Sequence, residues 1–302
     1  MLRIVTIPSG PWTMIHHFFV LLSLLALCCF GLLKKALPLI VCLKAFKMRW
    51  ILVMGLLWGM LLSSQACAPA NEEVMKVLIY TRTEGFRHDA MEAGKEGFTR
   101  LAEANNWALT FGETPEVFRV DTLEQYRLVV FLLTTGSVLD DTGRDALSNW
   151  VEQGGGLLTV HSGTDTEKEW PWFVDAIGAR FTGHPPVQQG RLVVENRLHP
   201  ATSFLQDSVW WLEDEWYSFD RNPRPDAEVL IAIDEASYEV DDNRWFEGVE
   251  QRMGDHPLVW CRKLGAGRVF QTALGHRPEL YADALFLLHL QGAVEWTAGK
   301  KD

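Results

Sequence analysis

Short apolar runs alternate with amphipathic segments over residues 74–160, and this alternation restricts the fold more than any other feature of the sequence. The runs read VLIY, RLVVFLL and LLTV and begin at residues 77, 127 and 157. After the first run, Met91, Phe98 and Leu101 recur at the spacing of a helix with one apolar face. Strands that are apolar on both faces are typical of parallel sheets covered by helices on both sides. The sequence therefore predicts an open, doubly wound α/β sheet.

The pattern changes after about Gly190, where strand candidates follow one another closely with few helices between them. These candidates read GRLVVEN, SVWWLEDEWYSF, AEVLIAI, HPLVWCRK and GRVFQTALGH. They predict an antiparallel or mixed extension of the same sheet. A final helix is expected to place Tyr281, Leu285 and Leu288 on one face. No repeat or low-complexity linker interrupts the pattern, so residues 75–298 are predicted to form one domain.

Residues 48–66 have the order of a secretory signal peptide. Met48 and Arg49 provide a positive end, an apolar run extends from Trp50 to Leu62, and small residues precede Cys67. The ending SQAC resembles a bacterial lipobox, which would make Cys67 a lipid anchor. We therefore expect residues 67–74 to form a short tether and the domain to be exported to the periplasm or cell envelope.

Residues 1–47 are interpreted as an extension from an upstream start or as a membrane segment. Their apolar run from Phe18 to Leu33 is slightly shorter than the ~20 residues that a bilayer needs.

Charge and cysteine usage exclude several classes of function. Six of the 28 basic residues and none of the 39 acidic residues lie in positions 1–66, which leaves the rest with a formal charge of −17. Nucleic-acid binding needs a basic surface, so no nucleic-acid partner is expected. Cys261 is the single cysteine after position 67, which excludes an internal disulfide and a cysteine-based zinc site. Since no phosphate-binding glycine motif follows a strand, no nucleotide cofactor is indicated.

Polar residues follow the predicted parallel strands, at the point where each strand ends. In open α/β sheets, ligands bind beyond the carboxyl ends of the strands, which we call the carboxyl edge. Residues selected in this way are Thr83, Arg87, His88, Thr134, Thr135, His161, Ser162, Thr164, Asp165 and His276. Three histidines from distant parts of the chain are thus predicted to meet at this edge.

Six motifs, GFRHDA, LLTVHSGTD, FTGHP, DEWY, GDHPLVW and GRVFQTALGH, appear in this order. Together they resemble the ThuA-like, trehalose-utilisation domain family over roughly residues 75–298. The resemblance implies a flavodoxin-like, class I glutamine amidotransferase-like sheet. It also implies a role with carbohydrates, in particular oxidised (3-keto) glucosides.

Glutamine amidotransferases carry a nucleophilic cysteine on a sharp turn between strand and helix. His161 stands at the corresponding position here, so thioester glutaminase chemistry is excluded. Ser162 is an alternative nucleophile, displaced by one residue. A histidine on this turn offers instead a metal ligand or a general acid or base.

Two chemical hypotheses use the same residues. In the first, His88, His161 and His276 bind a divalent metal such as zinc, because catalytic zinc sites take about three His or carboxylate ligands. His184 is a further candidate ligand, and Asp165, Asp214 or Glu215 can complete the set. In the second, His161 and Glu215 exchange protons with the sugar while His184 or Arg87 polarises its oxygens.

The predicted substrate-binding residues combine polar side chains with aromatic rings, because the flat C–H faces of pyranoses pack on aromatic side chains. They are Arg87, His88, Thr164, Asp165, Trp216, Tyr217 and His256. Trp170, Trp172, Trp210 and Trp211 are also expected near the carboxyl edge. His199 is expected on a surface loop and His289 in the core.

Two functions are consistent with these features. The favoured one is an exported enzyme, a lyase, isomerase or hydrolase acting on keto sugars. The alternative is a non-catalytic carbohydrate-binding or scaffold lipoprotein. An enzyme requires His88, His161, His184, Glu215 and His276 to meet in one pocket, whereas a binding protein does not.

Overall fold

The computed structural model describes residues 74–242 and 244–302. The predicted signal peptide, the extension before it and the predicted lipid anchor at Cys67 lie outside the described residues. Within the described residues, no helix is both long enough and apolar enough to span a bilayer.

The strands and helices alternate along the first half of the domain, and strands predominate in the second. The strands are β1 Met75–Tyr80, β2 Trp107–Gly112, β3 Leu128–Leu132, β4 Gly156–Val160, β5 Phe181–Gly183, β6 Gln188–Val194, β7 Val209–Asp214, β8 Ser218–Phe219, β9 Glu228–Asp234, β10 Pro257–Leu264 and β11 Gly267–Thr272. The α-helices are α1 Met91–Asn105, α2 Val120–Leu123, α3 Asp141–Glu152, α4 Pro171–Ile177 and α5 Ala284–Thr297. Short 3₁₀ helices span Pro115–Val117, Ser162–Asp165, Glu235–Ser237 and Pro278–Ala282.

Nine of the described strands form one mixed sheet in the order β2-β1-β3-β4-β11-β10-β9-β6-β7. The strands from β2 to β11 pair in parallel, and those from β11 to β7 pair antiparallel. Every residue of β3 and β4 is buried, whereas burial alternates along β6 and β7. This difference confirms the predicted α/β fold, with a parallel half covered on both faces and an antiparallel extension.

The last helix differs from its prediction. Asp283 caps α5 by accepting a hydrogen bond from the backbone of Phe286, so Tyr281 belongs to the preceding 3₁₀ helix. Because α5 begins after Asp283, Tyr281 does not share a helical face with the two leucines. The buried face of α5 carries Phe286 and other residues in place of Leu285 and Leu288. Leu285 and Leu288 are exposed.

His289 and His199 both lie in the core. The position of His289 agrees with its prediction, and its ring bonds Ala201 O and Thr272 Oγ1. The prediction of a surface loop was wrong for His199, which is 5% exposed. Its Nδ1 accepts a hydrogen bond from the backbone of Ala201, and its other ring nitrogen faces buried Cys261.

Candidate active site

His161 occupies a sharp turn at the end of β4. Its backbone lies at φ 58° and ψ −98°, a conformation that side-chain-bearing residues rarely adopt. A Cβ atom at Gly163 would overlap the side chain of Thr159, so only glycine permits the turn to close this tightly. Such strained turns between strand and helix expose a functional side chain at the carboxyl edge in other enzymes. Here this position holds the imidazole of His161.

Three further elements bring their side chains to His161. His88 precedes α1, His276 follows β11, and Glu215 follows β7. The fully buried carboxylate of Asp214 accepts hydrogen bonds from the backbone N–H groups of Gly275 (2.7 Å) and Arg277 (3.2 Å). Asp214 therefore joins the end of β7 to the loop that carries His276.

Glu215 lies at the centre of the histidines. Its Oε2 atom is 3.2 Å from Nδ1 of His276 and 3.5 Å from Nε2 of His161, and its Oε1 atom is 3.0 Å from Nδ1 of His184. One ligand atom from each of His88, His161, Glu215 and His276 lies within 4.8 Å of the others. We call these four residues the histidine–glutamate cluster.

The residues of the cluster shift one another's pKa values. Burial acts to raise the pKa of Glu215, but hydrogen bonds from His276 and from His161, which donates through Nε2 when its ring carries a second proton, outweigh burial and hold this pKa well below its usual value. Burial acts to lower the pKa of His276, but the hydrogen bond and charge of Glu215 raise it above its usual value. Burial, helped by repulsion from the neighbouring imidazoles, lowers the pKa of His88 to about 2. Glu215 is thus ionised and His88 neutral near neutral pH.

The tautomer of His161 is fixed by its surroundings. Its Nδ1 lies 2.9 Å from the carbonyl oxygen of Ala273, which can only accept, so Nδ1 carries the hydrogen. Nε2 then directs its lone pair at the carboxylate of Glu215 and at His276, 3.3 Å away. Nε2 of His161 and Oε2 of Glu215 are then two acceptors that share at most the one hydrogen of His276 Nδ1, unless a cation or a second proton lies beside them. An N–H group donated to a backbone carbonyl is also typical of metal-binding histidines.

His184 and Tyr217 extend the cluster outwards. Burial lowers the pKa of His184 even though Glu215 acts to raise it. The hydroxyl of Tyr217 lies 3.5 Å from Nε2 of His88, and burial raises its pKa well above the usual value.

A cavity of about 610 Å³ opens above the cluster. Its described lining residues are Phe86, His88, Thr135, Asp165, Lys168, Phe181, His184, Glu215, Tyr217, Trp245, Phe246 and His276. His161 has no exposed surface and is not among them, so it lies behind the cavity floor. It can hold a metal from this position, but it cannot contact a substrate directly.

Several predicted substrate contacts lie elsewhere. Trp216 is fully buried, because adjacent residues of an extended chain point in opposite directions and Tyr217 takes the cavity side. His256 is also buried, between the carboxylate of Glu235 (2.9 Å) and the carbonyl of Tyr217 (2.8 Å). Arg87 points to solvent and pairs with Glu92.

Thr164 is buried beside the turn that carries His161, and its hydroxyl has no partner among the described residues. Of the predicted substrate-binding residues, the structure thus brings His88, Asp165 and Tyr217 to the cavity.

The aromatic lining differs from the expected one. Trp170, Trp172, Trp210 and Trp211 do not line the cavity, and its only described indole is that of Trp245. Phe86, Lys168, Phe181, Trp245 and Phe246 were not predicted. Trp245 and Phe246 lie in the long segment 238–256, and the length of a segment without strand pattern is itself a signal of function.

Comparisons with known proteins agree with this architecture. The family model ThuA, described as trehalose utilisation, matches residues 76–297. A ThuA-like protein from Bacteroides uniformis ATCC 8492 has a similar structure, with a TM-score of 0.61 and 25% identity over 76% of this chain and 94% of that chain. A ThuA-like protein from Parabacteroides merdae ATCC 43184 gives 0.58 and 20% identity over 76% and 91%. No curated protein matches the chain. The chain therefore belongs to the ThuA, trehalose-utilisation family, which indicates a function related to carbohydrates.

Proposed function

We propose that the protein is a metal-dependent enzyme that acts on a carbohydrate bearing a carbonyl group, an oxidised (3-keto) glucoside. The observation that carries this proposal is the opposition of His161 Nε2 and the Glu215 carboxylate at 3.5 Å. A cation beside these two acceptors would remove the repulsion between them, and they lie at and directly behind the floor of a cavity of substrate size.

His88, His161 and His276 are the proposed ligands of a divalent metal, zinc being the ion that best suits three imidazoles. The fit is supported by His88, whose Nδ1 is buried and has no hydrogen-bond partner among the described residues. Buried polar atoms are rarely left unpaired, so this atom indicates a missing ligand. When bound, the metal would supply Lewis-acid stabilisation of charge on the carbonyl oxygen.

Glu215 is the proposed general base. A carbonyl at C3 acidifies the proton at C2, and an ionised carboxylate at the cavity floor is suited to remove it. Nδ1 of His184 bonds the carbonyl of Pro185 and lies 3.0 Å from the other oxygen of Glu215, so His184 lies beside the carboxylate and faces the cavity. Elimination, isomerisation and hydrolysis of a keto glucoside can all start with this proton transfer.

The cavity walls support a sugar as the ligand. Phe86, Phe181 and Tyr217 supply apolar surface for C–H faces, while Asp165 and Lys168 supply groups for hydroxyls. Asp165 and Lys168 pair with each other at 2.6 Å.

We also propose that the protein is exported and held at the cell envelope by a lipid anchor. The order of charged, apolar and small residues before Cys67 supports export to the periplasm or cell envelope with a lipid anchor.

The test is incubation of the zinc-loaded protein with 3-keto trehalose in D₂O, followed by NMR. Exchange of the C2 proton together with consumption of the sugar is the expected result. The alternative is a non-catalytic carbohydrate-binding lipoprotein. It predicts that sugars raise the melting temperature while no C2 proton exchanges.

A further inference from the structure

The segment 238–256 joins the 3₁₀ helix Glu235–Ser237 to β10 and contributes Trp245 and Phe246 to the cavity wall. Connections of this length without strands are uncommon in compact domains and are usually functional.

Both ends of this segment are fixed. The side chain of Gln188 bonds the backbone N–H of Glu239 at 2.9 Å and its carbonyl at 3.3 Å. At the other end, the hydroxyl of Ser218 donates to the carbonyl of Gln251 at 2.6 Å. Because its base is held in this way, the segment presents its aromatic residues at a defined position.

Phe246 and Trp245 have different surroundings. Phe246 packs on Gly183, where a Cβ atom would approach its ring to 3.1 Å, and its ring centre lies 4.8 Å from that of His184. Phe246 therefore attaches the segment to the wall. The neighbouring Trp245 lines the cavity with 58% of its surface exposed, and the guanidinium of Arg244 lies 6.0 Å from its ring centre.

Trp245 lies further from the cavity floor than Glu215, and the side chain of His184 lies between them. Its ring centre is 5.5 Å from that of His184, whose Nδ1 is 3.0 Å from Glu215. A sugar ring whose C2 proton reaches Glu215 occupies the floor of the cavity. The next ring of a glycoside would then lie at the level of Trp245.

We propose that Trp245 is the stacking platform for the second ring of a disaccharide-sized glycoside, and that it makes the site select disaccharides over monosaccharides. This inference rests on the proposed carbohydrate function. A volume of about 610 Å³ has room for more than one pyranose ring. An exposed indole gives such a ring a large, rigid apolar surface.

The test compares the binding of trehalose and glucose by calorimetry to the zinc-loaded wild type, to Trp245→Ala and to Trp211→Ala. Trp211 is a matched control, because it is 54% exposed on β7 and does not line the cavity. Trp245→Ala should weaken trehalose binding about tenfold, as truncation of an aromatic anchor does, and change glucose binding little. Trp211→Ala should bind both sugars like the wild type. Trp245→Tyr, which keeps an aromatic face, should retain most of the affinity for trehalose.

Two results would overturn the inference, and they differ in what they say of the proposed function. Equal trehalose affinity in Trp245→Ala and wild type removes the role of Trp245 and leaves carbohydrate binding intact. A wild type that binds neither sugar, in plain or 3-keto form, contradicts the carbohydrate function as well.

Discussion

Nε2 of His161 faces the carboxylate of Glu215 at 3.5 Å, although the two residues follow strands that are far apart in the sheet. β4 lies in the parallel half, and β7 is the last strand of the antiparallel extension. The chain after β7 returns to the carboxyl edge because Asp214 bonds the loop that follows β11. Both the parallel half and the antiparallel extension of the sheet therefore supply residues to the cluster.

Replacing Glu215 with glutamine should abolish proton transfer while the fold is retained. Glutamine has nearly the same shape but cannot accept a proton, so the exchange rate at C2 should fall about 100- to 10,000-fold. The rate is measured by NMR in D₂O with 3-keto trehalose. Glu169→Gln, which changes an exposed carboxylate outside the cavity, is the control and should leave the rate unchanged. An active Glu215→Gln variant would rule out Glu215 as the base.

Asp214→Asn should weaken metal binding without altering a ligand. The two backbone N–H groups bond different oxygens of Asp214, and asparagine keeps only one of these oxygens. We expect the loss of one charged hydrogen bond to lower the free energy of unfolding by about 1–3 kcal/mol. Misplacement of His276 should reduce zinc affinity about 10- to 100-fold. Urea unfolding and zinc titration measure the two effects, and unchanged zinc affinity would show that Asp214 does not position His276.

The metal-free protein should lose stability as the pH falls below about 6.5. Burial lowers the pKa of both His199 and His289 to about 4, so between these values the unfolded chain binds more protons than the folded one. Each residue then contributes up to about 1.4 kcal/mol per pH unit, with stability rising as the pH rises. His276, whose pKa is raised, acts in the opposite direction, and its contribution is lost as the pH rises above 6.5.

Urea unfolding between pH 7 and pH 5 measures this slope. His289→Asn can keep the hydrogen bond to Ala201 but does not titrate, so its slope should be smaller by about 1.4 kcal/mol per pH unit. A stability that stays constant or increases towards pH 5 would contradict the assignment of neutral core histidines.

Much of the fold and part of the cluster could be predicted because both depend on local patterns. β3 and β4 are apolar at almost every position, which identifies buried parallel strands and hence the edge where His88 and His161 lie. Glu215 belongs to the DEWY motif, in which carboxylates stand next to aromatic residues. The sequence did not show which of Trp216 and Tyr217 points into the cavity. The path of the chain after β7 depends on Asp214 and its partners, which are distant in sequence.

No periodic sequence pattern identified the residues that form the outer part of the cavity wall. Trp245 and Phe246 reach the wall through contacts of their segment with Gln188, Gly183 and Ser218, which are distant in sequence. Likewise, His256 was predicted to bind substrate as part of the GDHPLVW motif, but Glu235 binds its ring inside the domain.

Metal content tests the central claim most directly. After loading with zinc and removal of free ions, the wild type should retain about one zinc ion per chain by mass spectrometry of the elements. His184→Asn, which alters a neighbour of Glu215 outside the proposed ligand set, should retain the same amount. The triple variant His88→Ala, His161→Ala, His276→Ala should retain none. A wild type that holds no more zinc than the triple variant would contradict the account.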